Sequence, residues 1–219
     1  MNLKSMLFGA ALACGLVVGS AASAATIVTM TTRDNVEAVT GLTGGTVINF
    51  EDIAPGAYTQ LTKNGVTFSG TGSVSVDSQF SGQYNLQGKA LKGVSNKGMF
   101  FDFDAPITGF GFFFGASDLV WTLAAYDAND NLLETLQISP TRHNNLGNFY
   151  GIKANGIASA RLTTTSADYV GIDDFRTSTA PLVNPGAVPE PASWALMILG
   201  FGAAGALLRR NSASRPVVA

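Results

Sequence analysis

The chain has 219 residues, 46% of them hydrophobic and only 13% charged, with 25 glycines and a formal net charge of −2. Aromatic residues at 10% exclude a disordered polar chain, and the mildly acidic balance lacks the basic footprint that nucleic-acid binding requires. One cysteine, Cys14, and one histidine, His143, leave almost no material for a disulfide framework, a thiolate metal site, a Ser–His pair or a multi-histidine centre.

Residues 1–24 read as a secretory signal. Lys4 precedes the uncharged run Met6–Val18, small residues follow, and Ala22-Ser23-Ala24 supplies the cleavage tripeptide. Signal peptidase is therefore an expected partner, cutting beside Ala24, and Cys14 leaves with the removed segment. Residues 25–179 are expected to form one domain, with nine Lys and Arg against 14 Asp and Glu in the stretch up to residue 188.

Within the domain, Thr31–Gly41 has hydroxyls before Asp34, apolar Val36 and Val39 three apart, and a closing glycine, which predicts a capped helix of about two turns. Strand-like runs then follow: Thr46–Phe50, Gly65–Ser69, Ser73–Val76, Met99–Asp104, Ile107–Phe114, Val120–Tyr126, Leu132–Ile138 and Ile157–Thr165. They are β-branched or aromatic and bounded by Gly, Asn, Asp or Pro. Strand after strand without a helical period predicts an all-β fold, a single antiparallel β-sandwich of jelly-roll type.

Phe110, Phe112 and Phe114 share one face of their strand, with Ile107, Gly109, Gly111 and Phe113 on the other, so the strand is expected to be covered on both sides. These rings, with Trp121 and Tyr126, read as core rather than as a platform for sugar rings. Tyr58, Tyr84, Phe149 and Tyr150, near Gly- and Asn-rich stretches, are the better candidates for exposed sugar contacts. Asp127-Ala-Asn-Asp-Asn131 alternates oxygen ligands, yet Leu132 stands where a calcium loop needs glycine and Ile138 where it needs a bidentate acid. It reads as a hairpin turn. His143, in a polar stretch, reads as a loop residue, and the threonines of Leu162–Ser166 belong to no repeat that would suggest ice binding.

Two acidic pairs remain, Glu51-Asp52 after the first of these strands and Asp173-Asp174 within the last, Tyr169–Phe175. The simpler reading is solvated charge at strand ends. If the terminal strands meet, the four carboxylates converge on one structural calcium, which takes six to eight oxygens. Such a site resembles that of secreted jelly-roll carbohydrate-binding modules, which often carry a calcium near the chain ends. A glycosidase pair would need carboxyls roughly 5 to 9.5 Å apart across a cleft. Neither these acids nor Asp102 and Asp104 show that requirement in sequence. No cofactor other than the calcium is expected.

Residues 180–188 form a Pro-containing linker, and from Pro191 to Leu208 there are 18 residues without a charge, followed by Arg209 and Arg210. As a helix the run measures about 27 Å, close to a hydrocarbon core of about 30 Å. The arginines would stay on the cytoplasmic side and leave the domain outside. Gly200, Gly202 and Gly205 suit a membrane helix better than a soluble one. Pro189-Glu190-Pro191, Trp194, Gly200-Phe-Gly202 and the arginine pair together resemble the PEP-CTERM sorting signal of exopolysaccharide-producing Gram-negative bacteria, also called the ice-binding protein C-terminal domain. The resemblance covers residues 189–210, leaving 211–219 as a tail longer than such signals often have. It implies recognition by an exosortase, a membrane-embedded cysteine protease, at or near Pro-Glu-Pro. The function expected is a non-enzymatic, exported surface or matrix protein, tethered and then released to the cell surface or medium and associated with exopolysaccharide or biofilm. The alternatives are a carbohydrate-binding module or, further off, a carboxylate-dependent hydrolase or lyase.

Overall fold

The computed structural model describes residues 25–141, 148–182 and 191–212. The domain is all-β, as expected, with one short helix. In chain order its elements are β1 (Thr26–Met30), α1 (Val36–Thr40), β2 (Gly44–Ile48), β3 (Gly56–Lys63), β4 (Val66–Asp77), β5 (Ala90–Gly115), β6 (Trp121–Tyr126), β7 (Leu132–Ile138) and β8 (Phe149–Ser178). A separate helix, α2 (Pro191–Ser212), follows.

The strands are antiparallel and hydrogen-bonded into one connected sheet in the order β3-β4-β5-β8-β6-β7, with β1 and β2 also on β8. Two long strands make the connection. β5 spans 26 residues and β8 spans 30, where the sequence suggests shorter separate runs. Pro106 lacks an N–H and Gly156 takes a left-handed φ of 76°, so both positions read as breaks. The chain instead shifts register there and runs on. The first part of β8 lies between β1 and the end of β5, its middle between Gly98–Asp102 of β5 and β6, and its last part between β2 and both ends of β5.

One core collects rings from every part of this path. Phe175 lies within 5.1 Å of Phe68, 5.2 Å of Phe101 and 5.7 Å of Phe112, centroid to centroid, and all four are fully buried. Phe110 and Phe114 join the same cluster. Phe113, on the opposite face of β5, packs with Met30, Val36, Leu42 and Phe149 under α1. The doubly covered strand is thus present.

α1 is shorter than its sequence suggests. Gly41 closes it in the left-handed conformation at φ 65°, its N–H donating to Glu37 O, as a terminal glycine should. The start differs: Asn35 is the cap, at φ 55°, and no side chain caps the first turn. Thr31–Arg33 are left free to follow β1, which the sequence reading missed along with β3. The turn between β6 and β7 forms as expected. Asp127 Oδ1 accepts from the Asn129 and Asn131 amides at 2.8 and 2.9 Å, and Asp130 takes a φ of 62°.

Removing the shared ring should test whether the long strands are held by one core. Phe175→Ala should cost about 3–5 kcal/mol of stability. Urea unfolding followed by tryptophan fluorescence should show one cooperative transition moved to lower urea.

Candidate functional site

The acidic residues singled out by sequence fall into two separate arrangements. β8 carries Asp173 and Asp174, and the segment after β1 brings Arg33 to them. Arg33 Nη2 donates to Asp173 Oδ2 at 3.0 Å and to Asp174 Oδ2 at 2.9 Å, while Nη1 donates to Asn85 O at 2.5 Å. The guanidinium carbon lies 3.8 Å from the centre of the Phe113 ring, so the cation is also stacked. Asp173 is 1% exposed and accepts further bonds from the Gln87 and Asp174 amides.

Glu51 and Asp52 are engaged elsewhere. Glu51 Oε1 accepts from the Lys89 amide at 2.7 Å, and Lys89 Nζ donates to the carbonyls of Glu51 and Ile53. Asp52 pairs with Lys63, whose hydrogen bond holds the carboxyl below the usual carboxylate range. The segment Gln87–Lys89 lies between the two pairs, one amide turned to Asp173 and another to Glu51. The four carboxylates thus fall into two separate arrangements, each engaged by a nearer cation or amide. Among the described residues no group of three or more His, Cys, Asp or Glu side chains could hold a metal ion.

The aromatic candidates also separate. Trp121, Phe110, Phe112 and Phe114 are buried, and Trp121 Nε1 donates to Asp168 Oδ2 at 3.0 Å. Tyr126 is half-buried beneath the Arg161 guanidinium. Phe149, expected at the surface, is fully buried against Phe113, because β1 and α1 cover that face. Tyr150 is half-buried edge-on to Phe114, and burial pushes its phenol above the usual range. The Tyr58 hydroxyl donates to Ala54 O.

Tyr84 is the candidate that gains company. It meets Phe80 edge-on at 5.3 Å, and Tyr169 meets the same ring at 5.3 Å from β8. All three are half-buried. Phe80 and Tyr169 escaped the sequence reading, although alternation held the signal. Tyr169, Gly171 and Asp173 share one face of β8, opposite buried Val170 and Ile172, and that face meets the 78–89 loop. A separate groove of 240 Å³ includes Thr46, Asn64, Phe103, Asp104 and Thr177 in its lining. Its Thr46 and Thr177 hydroxyls bond to each other at 3.3 Å. His143 lies outside the described residues, as do Ala22, Ala24, Pro189 and Glu190.

α2 continues for 22 residues beyond the domain, and its large apolar side chains among the described residues are exposed. Leu196, Met197, Ile198 and Leu199 are all at least 60% exposed, as are Phe201 and Leu208. Four consecutive positions at about 100° per residue sweep most of the circumference, so this is no amphipathic surface helix. Residues 187–211 match the PEP-CTERM protein-sorting motif. Gly200, Gly202 and Arg209 of the motif are exposed on α2, while the side chains of Pro191, Trp194 and Arg210 lie outside the described set. Among the described residues no helix is long and apolar enough to cross a membrane. The apolar run also includes Ala206 and Leu207, whose side chains are outside that set as well.

No curated protein matches the chain. Among solved structures, a mutant of a carbohydrate binding module family 29 aligns over 74% of this chain and 99% of its own, at 11% identity and a TM-score of 0.30.

Burial, and then the neighbouring Asp174 charge, push the Asp173 carboxyl up to about 6, against lowering contributions from the Gln87 amide and Arg33. A carboxyl raised in the folded state stabilises the fold below its unfolded value of about 3.9, and that contribution is lost as pH rises through the folded value. The stability of the wild type relative to Asp173→Asn should therefore fall by about 2 kcal/mol between pH 4 and pH 7. Urea midpoints at both pH values measure this. A rise instead of a fall would mean that Arg33 keeps Asp173 ionised throughout.

Proposed function

We propose that the chain is an exported surface or matrix protein of a Gram-negative bacterium, tethered by its C-terminal signal and processed by an exosortase. In this reading signal peptidase cuts beside Ala24 and the β domain emerges outside the cytoplasm. The run Pro191–Leu208 stops in the membrane with Arg209 and Arg210 inside. Exosortase then acts at or near Pro189-Glu190-Pro191. The match of residues 187–211 to the sorting motif carries the reading. The apolar circumference of α2 supports its membrane step, since a helix exposing Leu196–Leu199 on every side gains by entering lipid.

The domain is read as an antiparallel β-sandwich whose two halves, continuous through β5 and β8, close over the Phe175 cluster. Support comes from the rings themselves: Phe68 and Phe101 belong to one stretch of pairing, Phe110 and Phe112 to another, and both sets meet Phe175. The domain acts by binding rather than by catalysis and associates with extracellular polysaccharide. Its candidate carboxylates are engaged by Arg33, Lys63 and Lys89, which suits a rigid scaffold rather than proton transfer.

Intact mass spectrometry of the protein from the native host, compared with an exosortase-deficient strain, tests this reading. The expected mature chain begins at or beside Ala25 and ends near Pro189–Pro191 only when exosortase is present. An identical C-terminus in both strains would reduce α2 to a permanent anchor and overturn the processing step.

A further inference from the structure

The loop that joins β4 to β5 is irregular yet tightly held. Within seven positions four residues take left-handed backbone: Gly82 at φ 77°, Tyr84 at 52°, Asn85 at 65° and Gly88 at 59°. Glycine adopts this region freely, but a bulky aromatic such as Tyr84 does so only where its surroundings impose it. The surroundings are on every side. Asn85 Nδ2 donates to Phe114 O at 3.0 Å, the Asn85 carbonyl accepts from Arg33, and the Gln87 amide donates to Asp173. Leu86 is buried at 1% exposure and sits where Gly171 has no side chain. The backbone of Tyr84 lies so close to Gly115 that a Cβ there would overlap the Tyr84 carbonyl. Strain kept in place by this many contacts has a product, and the product is the position of two rings.

Those rings are Phe80 and Tyr84, and Tyr169 from β8 completes the group. Phe80 is met edge-on by both, at interplanar angles of 76° and 88°. Below them the ammonium of Lys92 lies 5.1 Å from the Phe80 centroid and 5.8 Å from that of Tyr169. Lys92 is 1% exposed and paired with Asp77, so its charge is neutralised beneath the rings and not offered to solvent. Around the rings, Ser78, Gln79, Ser81, Gln83 and Gln87 are exposed, and residues 78–88 contain no charged side chain. Nearby charges are occupied: Arg33 by Asp173 and Asp174, and Lys89 by carbonyls.

We propose that Phe80, Tyr84 and Tyr169 form a binding site for a neutral, hydroxyl-rich polysaccharide. The chemistry follows from the parts. Aromatic faces cover the C–H faces of sugar rings, and the hydroxyls and amides of the loop supply donors and acceptors to sugar hydroxyls. Rigid aromatics among adaptable small polar residues are a composition suited to recognition, and a pinned loop loses little freedom on binding. With these cations spent and one carboxylate in excess around Arg33, nothing among the described residues of the site attracts an acidic glycan. The inference rests on the polysaccharide association proposed above and assigns it a place and a ligand class.

The full chain in detergent micelles, run through native gels containing xylan, galactomannan or mixed-linkage β-glucan as neutral probes and alginate or polygalacturonate as acidic ones, supplies the test. Retardation is expected with at least one neutral polymer. Tyr169→Ala and Tyr84→Gly should each weaken that retardation roughly tenfold, while Tyr58→Ala leaves it unchanged. In Tyr84→Gly the relief of the left-handed backbone offsets part of the lost Phe80 packing, so both variants should keep a single cooperative melt. That result separates loss of the site from loss of the fold. Retardation that survives both loop-face variants would place polysaccharide binding elsewhere and overturn this inference alone. Retardation by acidic polymers only would overturn the charge argument, and no retardation by any polymer would sink the association itself.

Discussion

The structure depends on three consecutive residues of β8, Asp173, Asp174 and Phe175. Along a regular strand neighbours alternate, so Ile172 and Phe175 would face opposite sides. Here Asp173 opposes Phe113 and Arg176 opposes Gly111, leaving Asp174 and Phe175 against the single residue Phe112. The extra residue is a β-bulge, and Asp174 takes its left-handed turn at φ 46°. It lets Ile172 and Phe175 both enter the core while Asp173 and Asp174 both reach Arg33. One local irregularity thus closes the hydrophobic core on one side and clasps the N-terminal segment and the 78–89 loop on the other.

This explains why the acid pair resisted a sequence reading. Asp173-Asp174 looks like a cation site because its partner stands 140 residues away, and nothing in the local pattern signals Arg33. The same applies to Glu51, whose partner Lys89 lies 38 residues on. Buried carboxylates need compensation, and in this fold backbone amides and basic side chains supply it. The strand runs were legible because aromatic and β-branched residues cluster between Gly, Asn and Pro. Their joining was not: Pro106 and Asn155-Gly156 carry the composition of turns, and only the long-range pairing of β5 with β8 shows that both strands run on through a shift of register. β3 carries exposed polar residues in place of the apolar run that marks the others, whereas β1 is β-branched and apolar but adjoins the small residues of the signal segment.

The core and the candidate surface also differ in how visible they were. Phe110, Phe112, Phe114 and Trp121 were legible as interior, since strand parity alone puts them together. Phe149 was not, because the cover over its face comes from α1 and β1, whose packing the sequence does not display. The ring group of Phe80, Tyr84 and Tyr169 draws on a loop and a strand 85 residues apart in number, so only Tyr84 could be singled out beforehand. At the C-terminus the sorting motif was fully legible, because its information is the linear order of Pro-Glu-Pro, an apolar run and arginines rather than a tertiary contact.

The Arg33 clasp is the central contact that holds the 78–89 loop in its strained form. Hydrogen–deuterium exchange of the full chain, compared with Arg33→Gln, measures this directly. The amides of Leu86 and Gln87, bonded to Gln83 O and Asp173, should be protected in the wild type and exchange fast in the variant, with β5 and β8 protected in both. Fast exchange of those amides in the wild type, or protection untouched by the loss of Arg33, would contradict it.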